Sequence, residues 1–488
     1  ISKNYPNYFL DTKSLELENL EQIKSINKKT NEYLTFASVA RYYVFDKIIN
    51  NFINKNKDVN ISNNKKVKSK KKFYFGLIIF SILFFFFALY MLIIAGHTTY
   101  LIRKPFKMLL LVLFTLNIGL NVYSIYQFFT IKEENVPKNK ILSVVFKIFI
   151  TVFLIAYIGG STYVMNMFYG KNDKFRIWWI TNAMTSLSHQ KYARFIYSEE
   201  EIQHVMSSNV VNEIQENTNG NLVDFQNKET YENEYEKAIL DRKKGQLYKI
   251  INISYYTSPN RKVEGKLVAI YDPSKVSLVS ARGAGNTLAA KGEMVVDMAR
   301  RTDSVIAINA GGFYDPDWNS MGGYPHGIVI SKGKLLFDNK KAGVGGGIVG
   351  FDKNNKLILG RYTAQEAIKM GIRDAVEFGP YLIVNGKLSD MKGNGGWGEA
   401  NRTAIGQRKD GIVLFLVLDG RRHLDKVPGA SIVEVRDIMA KYGAINAVAM
   451  DGGTSSSMVH NGKIITNPRN GSLQPFTRPV PNAWVVQE

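Results

Sequence analysis

Residues 444–457 read AINAVAMDGGTSSS. The run from Ala444 to Met450 has the length and composition of a short buried strand. It stops at Asp451, and Gly452, Gly453 and four hydroxyl residues, Thr454 to Ser457, follow. An apolar strand that ends in an acid and two glycines delivers one charged group to a sheet edge. The glycines then let backbone N–H groups approach a ligand closely. Asp-Gly-Gly is also an ordinary turn. The two readings are separated by the other strand ends in the same half of the chain, several of which are likewise rich in Gly, Asn and Asp.

Working outward, residues from Gln246 onward alternate short β-branched runs with Gly/Asn/Asp turns. Expected strands include Tyr248–Tyr256, Lys266–Tyr271, Val276–Ser280, Ser304–Asn309, Gly327–Ile330, Gly347–Phe351, Tyr381–Val384, Thr403–Gly406, Ile412–Leu418 and Ala483–Val486. Lys332-Gly333, Asn385-Gly386 and Asn461-Gly462 read as hairpin turns. Helices are few. Thr363…Glu366 and Ser431…Glu434 are capping boxes, stopped by Gly371 and Gly443, and a third helix is expected over Glu293–Arg301. This is the pattern of an α+β domain, residues 245–488, built on a mixed sheet or open barrel.

The first 170 residues have a different texture. They carry 22 Lys and Arg against 9 Asp and Glu, a large part of the whole chain's net +21. Residues 1–72 read as a cytoplasmic segment with one amphipathic stretch. Three apolar runs follow, 73–95, 106–130 and 141–169, each long enough for a bilayer core, which needs about 20 residues. Six lysines between Lys65 and Lys72 place the start inside, so three spans put everything beyond residue 170 outside the cell membrane. Residues 171–244 then read as a membrane-proximal stalk and linker. The basic excess is accounted for by membrane orientation, so a lipid membrane and not nucleic acid is the expected partner. With no cysteine, disulfides, Cys-ligated zinc and thiol catalysis are excluded.

Some motifs carry no chemistry. Gly345–Gly350 fits G-x-G-x-x-G but is followed by a strand-like run where a dinucleotide site needs a helix. Ser455–Ser457 lack a nucleophile elbow. No histidine pair has zinc spacing. What remains is Asn309 at one strand end, Arg402 at the start of another, where a guanidinium suits an oxyanion, and Asp419 and Asp451 at two more.

The segments INAGGFYDP, HGIVISKGKLLF, FGPYLIVNGK, NRTAIGQ, LDG, NAVAMDGGTSSSMVHNGK and RPVPNAWVV together resemble, in order, the phosphodiester glycosidase family. Bacterial relatives are described as exopolysaccharide biosynthesis proteins. The resemblance covers about residues 245–488, and Thr454 stands where the family often has a third glycine. It implies hydrolysis of a sugar-1-phosphodiester, of the GlcNAc-1-phosphate type, in an anionic envelope or exopolysaccharide polymer. The expected catalytic groups are Asp451 as nucleophile or base, Asp419 as second acid and Arg402 at the phosphate. Substrate contacts are expected from Asn309, Gly311, Gly312, Phe313, His326, Gly452, Gly453, Thr454, Ser455, Arg478 and Asn482. No cofactor is implied. Two alternatives stay open: a non-catalytic polysaccharide-binding protein, and a phosphodiesterase holding a divalent cation between Asp419, Asp451 and a histidine.

Overall fold

The computed structural model describes residues 70–85, 100–131, scattered residues from 160 to 170, and 173–488 except 187–188, 227–229, 317–319, 340–346 and 471–472. The chain divides into two compact units. One comprises 1–173 with 194–200, the other 174–193 with 201–488.

In the first unit residues 70–85 are helical and a second helix spans Tyr100–Thr130. The two share a buried polar pair: Ser81 Oγ donates to Asn117 Oδ1 (2.7 Å), and Asn117 Nδ2 donates to the Ser81 carbonyl (3.0 Å). Among the described residues no helix is long and apolar enough to cross a membrane. The expected membrane region therefore finds no support in the described helices. The second run is led by Arg103, Lys104 and Lys107 and interrupted by Asn117 and Asn121. The run 141–169 and the end of 73–95 lie largely outside the described residues, as does the segment 1–69.

The second unit is α+β, with three open sheets around one core. A seven-stranded sheet contains β2 (Tyr248–Ser258), β3 (Arg261–Ile270), β11 (Tyr381–Val384), β12 (Lys387–Leu388), β14 (Arg402–Arg408), β15 (Val413–Leu418) and β16 (Ala444–Met450). A five-stranded sheet has β10 (Ile372–Phe378) at its centre, with β6 (Gly327–Ser331), β7 (Lys334–Asn339), β8 (Gly347–Asp352) and β9 (Leu357–Gly360). The third contains β4 (Val276–Ser280), β5 (Ser304–Asn309), β17 (Met458–His460), β18 (Lys463–Ile464) and β19 (Asn482–Gln487). A small ladder joins β1 (Val211–Asn212) to β13 (Asp390–Met391). Among the described residues the pairings within the three sheets are antiparallel, which replaces the expected mixed sheet.

Strand alternation explains the layers. Val413, Phe415 and Val417 of β15 point into the common core with Trp484, Phe351 and Met450, while Leu414, Leu416 and Leu418 point outward. The outward faces are covered in turn. Helix Ile432–Lys441 covers the seven-stranded sheet, Val295–Arg301 covers the sheet of β5, and Ala364–Lys369 covers the sheet of β10. Both capping boxes form as expected, Thr363 with Glu366 and Ser431 with Glu434. The Asn385-Gly386 and Asn461-Gly462 turns take positive φ at both residues, the backbone a two-residue hairpin requires.

The expected stalk differs most from the structure. Helix Lys174–Met184, the β1 strand and residues 217–224 belong to the second unit rather than to a linker. Asn394 Nδ2 donates to Thr181 Oγ1 (2.8 Å), the Asn394 amide donates to Asn209 Oδ1 (3.0 Å), and the Thr218 amide donates to the Leu359 carbonyl (2.9 Å). The segment is polar because it satisfies exposed strand edges and loop amides of the domain.

Candidate active site

The ends of β5, β10 and β16, with the starts of β14 and β19, converge on one region. Asp451 follows β16, and its amide donates to the Ala310 carbonyl (3.1 Å). Asn309, fully buried at the end of β5, donates from Nδ2 to the Asp451 carbonyl (2.6 Å). Its Oδ1 accepts from Thr403 Oγ1 (2.8 Å) and from the Ser457 amide (3.2 Å). Asn309 thus fixes the backbone that carries the carboxylate and does not line the cavity. Asn482 likewise works on the backbone, accepting from the Gly311 amide (2.8 Å).

The cavity in front of Asp451 has a volume of about 440 Å³, within the usual range of small-molecule sites, roughly 300–1,000 Å³. Of the expected contact residues, Gly312, Phe313, His326, Arg402, Asp451, Gly452, Gly453, Thr454, Ser455 and Arg478 line it. Gly312 is there because a Cβ would fall 2.8 Å from the Phe378 ring and 3.1 Å from His326. Arg478 pairs with Asp315 (2.8 Å) and lies over the Phe313 ring, 4.4 Å from its centre.

Burial pushes the Asp451 carboxyl up to about 6. A hydrogen bond from Ser455, the charge of Arg478 and the Gly452 amide oppose the rise. The carboxylates lining the cavity are Asp315, Glu399 and Asp451. Asp315 is neutralised by Arg478. Glu399 accepts from Arg261 Nε (2.9 Å) and from Trp178 Nε1 (3.0 Å). Asp451 has no ion pair among the described residues.

Asp419 stands elsewhere. Its oxygens accept from the Asn467 amide (2.8 Å) and Nδ2 (2.9 Å), with Arg422 at 3.6 Å, and it does not line the cavity. This corrects its expected place as second acid: the acid at the end of β15 anchors the loop at Asn467. Among the described residues no group of three His, Asp or Glu is arranged to hold a metal ion.

Arg402 is held by three carbonyls: Nε donates to Ala430 (3.0 Å), and Nη2 to Trp397 (2.5 Å) and Gly398 (2.6 Å). Its Nη1 lies beside Gly452. Burial, then the charge of Arg421, lowers it to about 10, which still leaves it cationic at neutral pH. Arg421 was not among the expected residues. It takes φ +58°, and its Nη1 donates to Thr454 Oγ1 and to the Arg469 carbonyl, both at 2.9 Å. Burial lowers its pKa as well. Neither arginine pairs with a carboxylate among the described residues, so the cavity holds two guanidinium groups whose natural complement is an anion. Thr454, which replaces a glycine in the resemblance, is Arg421's acceptor.

The comparisons with known proteins agree with this part of the chain. The model of the phosphodiester glycosidase family matches residues 302–487. These residues belong to that family. The phosphodiester glycosidase segment is 34% identical, over 187 residues, to the uncharacterized SPbeta prophage-derived protein YomE of Bacillus subtilis, covering 37% of this chain and 28% of that protein. It is also similar to the mouse N-acetylglucosamine-1-phosphodiester alpha-N-acetylglucosaminidase, 23% identical over 227 residues, covering 43% and 42%. The chain thus spans less than half the length of these curated relatives. Among solved structures, the zebrafish enzyme of the same name, its catalytic domain auto-inhibited by a pro-peptide, aligns with TM-score 0.43 and 22% identity, over 51% of this chain and 85% of that one.

Proposed function

We propose that the second unit hydrolyses a sugar-1-phosphodiester, the linkage named for the mouse relative, releasing free sugar and a phosphate monoester. The observation that carries this reading is the pairing of one un-neutralised carboxylate, Asp451, with two carboxylate-free guanidiniums, Arg402 and Arg421, in a single cavity. The bond between the anomeric carbon and the phosphate oxygen breaks, and its electron pair leaves on that oxygen. The carbon passes through an oxocarbenium-like state, which the Asp451 carboxylate stabilises as nucleophile or as base for the incoming water. Water supplies the new hydroxyl, and its proton passes to solvent. A phosphate leaves readily once its charge is neutralised, which is the work assigned to the arginines.

The natural substrate in this reading is an anionic glycopolymer of the cell envelope, with the second unit outside the membrane. The three apolar runs and the lysine cluster at 65–72 support that placement. External protease on spheroplasts should remove residues beyond 170; full protection would sink the topology. The reaction is tested with a GlcNAc-1-phosphodiester, with and without chelator. Free GlcNAc supports the reading, GlcNAc-1-phosphate means the P–O bond is cut, and no turnover makes the protein a binder.

A further inference from the structure

Residues 302–487 build only part of the wall beside the two arginines, through Trp397, Glu399, Ala400 and Pro428. The rest comes from an upstream arm, helix Lys174–Met184 with Thr185, Ser186 and His189 beyond it, which contributes Trp178, Asn182, Thr185, Ser186 and His189 to the cavity. The arm is fastened where Arg402 is fastened. Thr185 Oγ1 donates to the Trp397 carbonyl (3.3 Å), an acceptor it shares with Arg402 Nη2. The Glu399 amide donates to Asn182 Oδ1 (2.7 Å), and Trp178 Nε1 reaches the Glu399 carboxylate. Gly398 sits so close to the arm that a Cβ there would lie 2.8 Å from the Asn182 Cα. Ser186 Oγ and His189 Nδ1 lie 2.8 Å apart, and His189 is near enough to Arg421 for that charge, after burial, to lower its pKa.

A separate group lines the cavity as well: Arg478 bound to Asp315 and stacked on Phe313, with Gly312 against Phe378 and His326. In the reaction proposed above, the anomeric carbon faces Asp451 and the phosphate faces Arg402 and Arg421. Whatever is esterified to the far side of the phosphate then continues toward the arm. Resting on that reading, we infer that the arm is the leaving-group wall of the site, selecting the alcohol on the far side of the phosphodiester. Trp178 provides its flat apolar surface, and Ser186 with His189 its polar edge. An alcohol carrying a ring or an apolar face fits this wall better than a small one, because an aromatic side chain gains from stacking and area burial.

The test uses the full chain and two synthetic substrates with the same sugar and phosphate, the methyl and benzyl diesters of GlcNAc-1-phosphate. Free GlcNAc release gives kcat and KM for each. The wild type should favour the benzyl diester. Trp178→Ala should lower the benzyl-to-methyl ratio of kcat/KM about tenfold, mainly through KM. Trp178→Phe, which keeps a ring but loses the bond to Glu399, should keep the ratio near wild type. A ratio unchanged in Trp178→Ala overturns the inference while the reaction stands. So does a Trp178→Phe variant that loses the ratio as the alanine variant does, since the residue then only braces Glu399. Absence of GlcNAc release from either diester by the wild type removes the proposed reaction, and this inference with it.

Discussion

Asp451→Asn should inactivate the protein and stabilise it in the same stroke. The carboxyl sits where burial raises its pKa from 3.8 to about 6. At about 1.36 kcal/mol per pH unit, an ionised Asp451 costs the folded state about 3 kcal/mol relative to the unfolded chain. The sign follows from proton counting. Below about pH 4 both states hold the proton and there is no cost. Between about 4 and 6 the unfolded chain gives up its proton first, so stability falls as pH rises. Above about 6 the full cost is present. Asparagine keeps the shape and can still accept from Ser455 and Gly452, but carries no charge. The variant should therefore match the wild type near pH 4 and exceed it by up to about 3 kcal/mol near pH 7.5. Turnover should fall by on the order of a thousandfold or more, about 4 kcal/mol in barrier at about 1.4 kcal/mol per decade. Urea unfolding at the two pH values, with GlcNAc release alongside, reads both effects. A variant no more stable than the wild type at pH 7.5 would refute the reasoning, for Asp451 would then not be held at a cost.

Other expectations follow from the same geometry. The wild-type kcat/KM should rise as pH passes about 6, since the carboxylate is the working form and Asp451 is pushed up to about 6; a flat profile from pH 5 to 7 counts against it. Arg402→Lys loses the fork that holds three carbonyls, so kcat/KM should fall about a hundredfold, with weaker inhibition by a phosphate monoester as the check. Asp419→Ala removes both bonds to Asn467 and should cost about 1–3 kcal/mol of stability, while turnover of the folded fraction stays within a few-fold. A chain beginning at residue 174 should unfold cooperatively, whereas one beginning at 245, lacking Thr181, Asn209 and β1, should not; calorimetry of the two decides.

Strands read from the sequence are those with one uninterrupted apolar character, and Val276–Ser280, Ser304–Asn309, Tyr381–Val384 and Ala444–Met450 have the expected bounds. Several short strands and one long one are not legible in this way; the long one, β10, is central to its sheet but reads IRDAVEF. Its charges are all employed: Arg373 bonds the Val276 and Pro273 carbonyls and pairs with Asp374, and the Ile328 amide donates to Glu377. Polar residues that satisfy neighbouring backbone look like loop when only composition is visible. The same limit governed the site. Asp451, Arg402 and the glycines were legible because they punctuate strands. Arg421 follows Asp419-Gly420 directly, and its left-handed φ turns it into the cavity while Asp419 turns away. The arm carries no chemical signal in the sequence, because Trp178, Asn182 and His189 acquire meaning only beside Glu399 and Arg421.

Asn309 has a consequence for how the site behaves in time. One buried side chain bonds Asp451 and Thr403 of one sheet's strand ends and the Ser457 amide leading into another sheet. The two layers are therefore locked together at the point where the carboxylate emerges, and orienting it belongs to folding rather than to ligand capture. A domain arranged in this way has no need of a closing motion around Asp451. Substrate entry should follow simple diffusional kinetics, and turnover should show the temperature dependence of a single chemical barrier over the range in which the core stays intact.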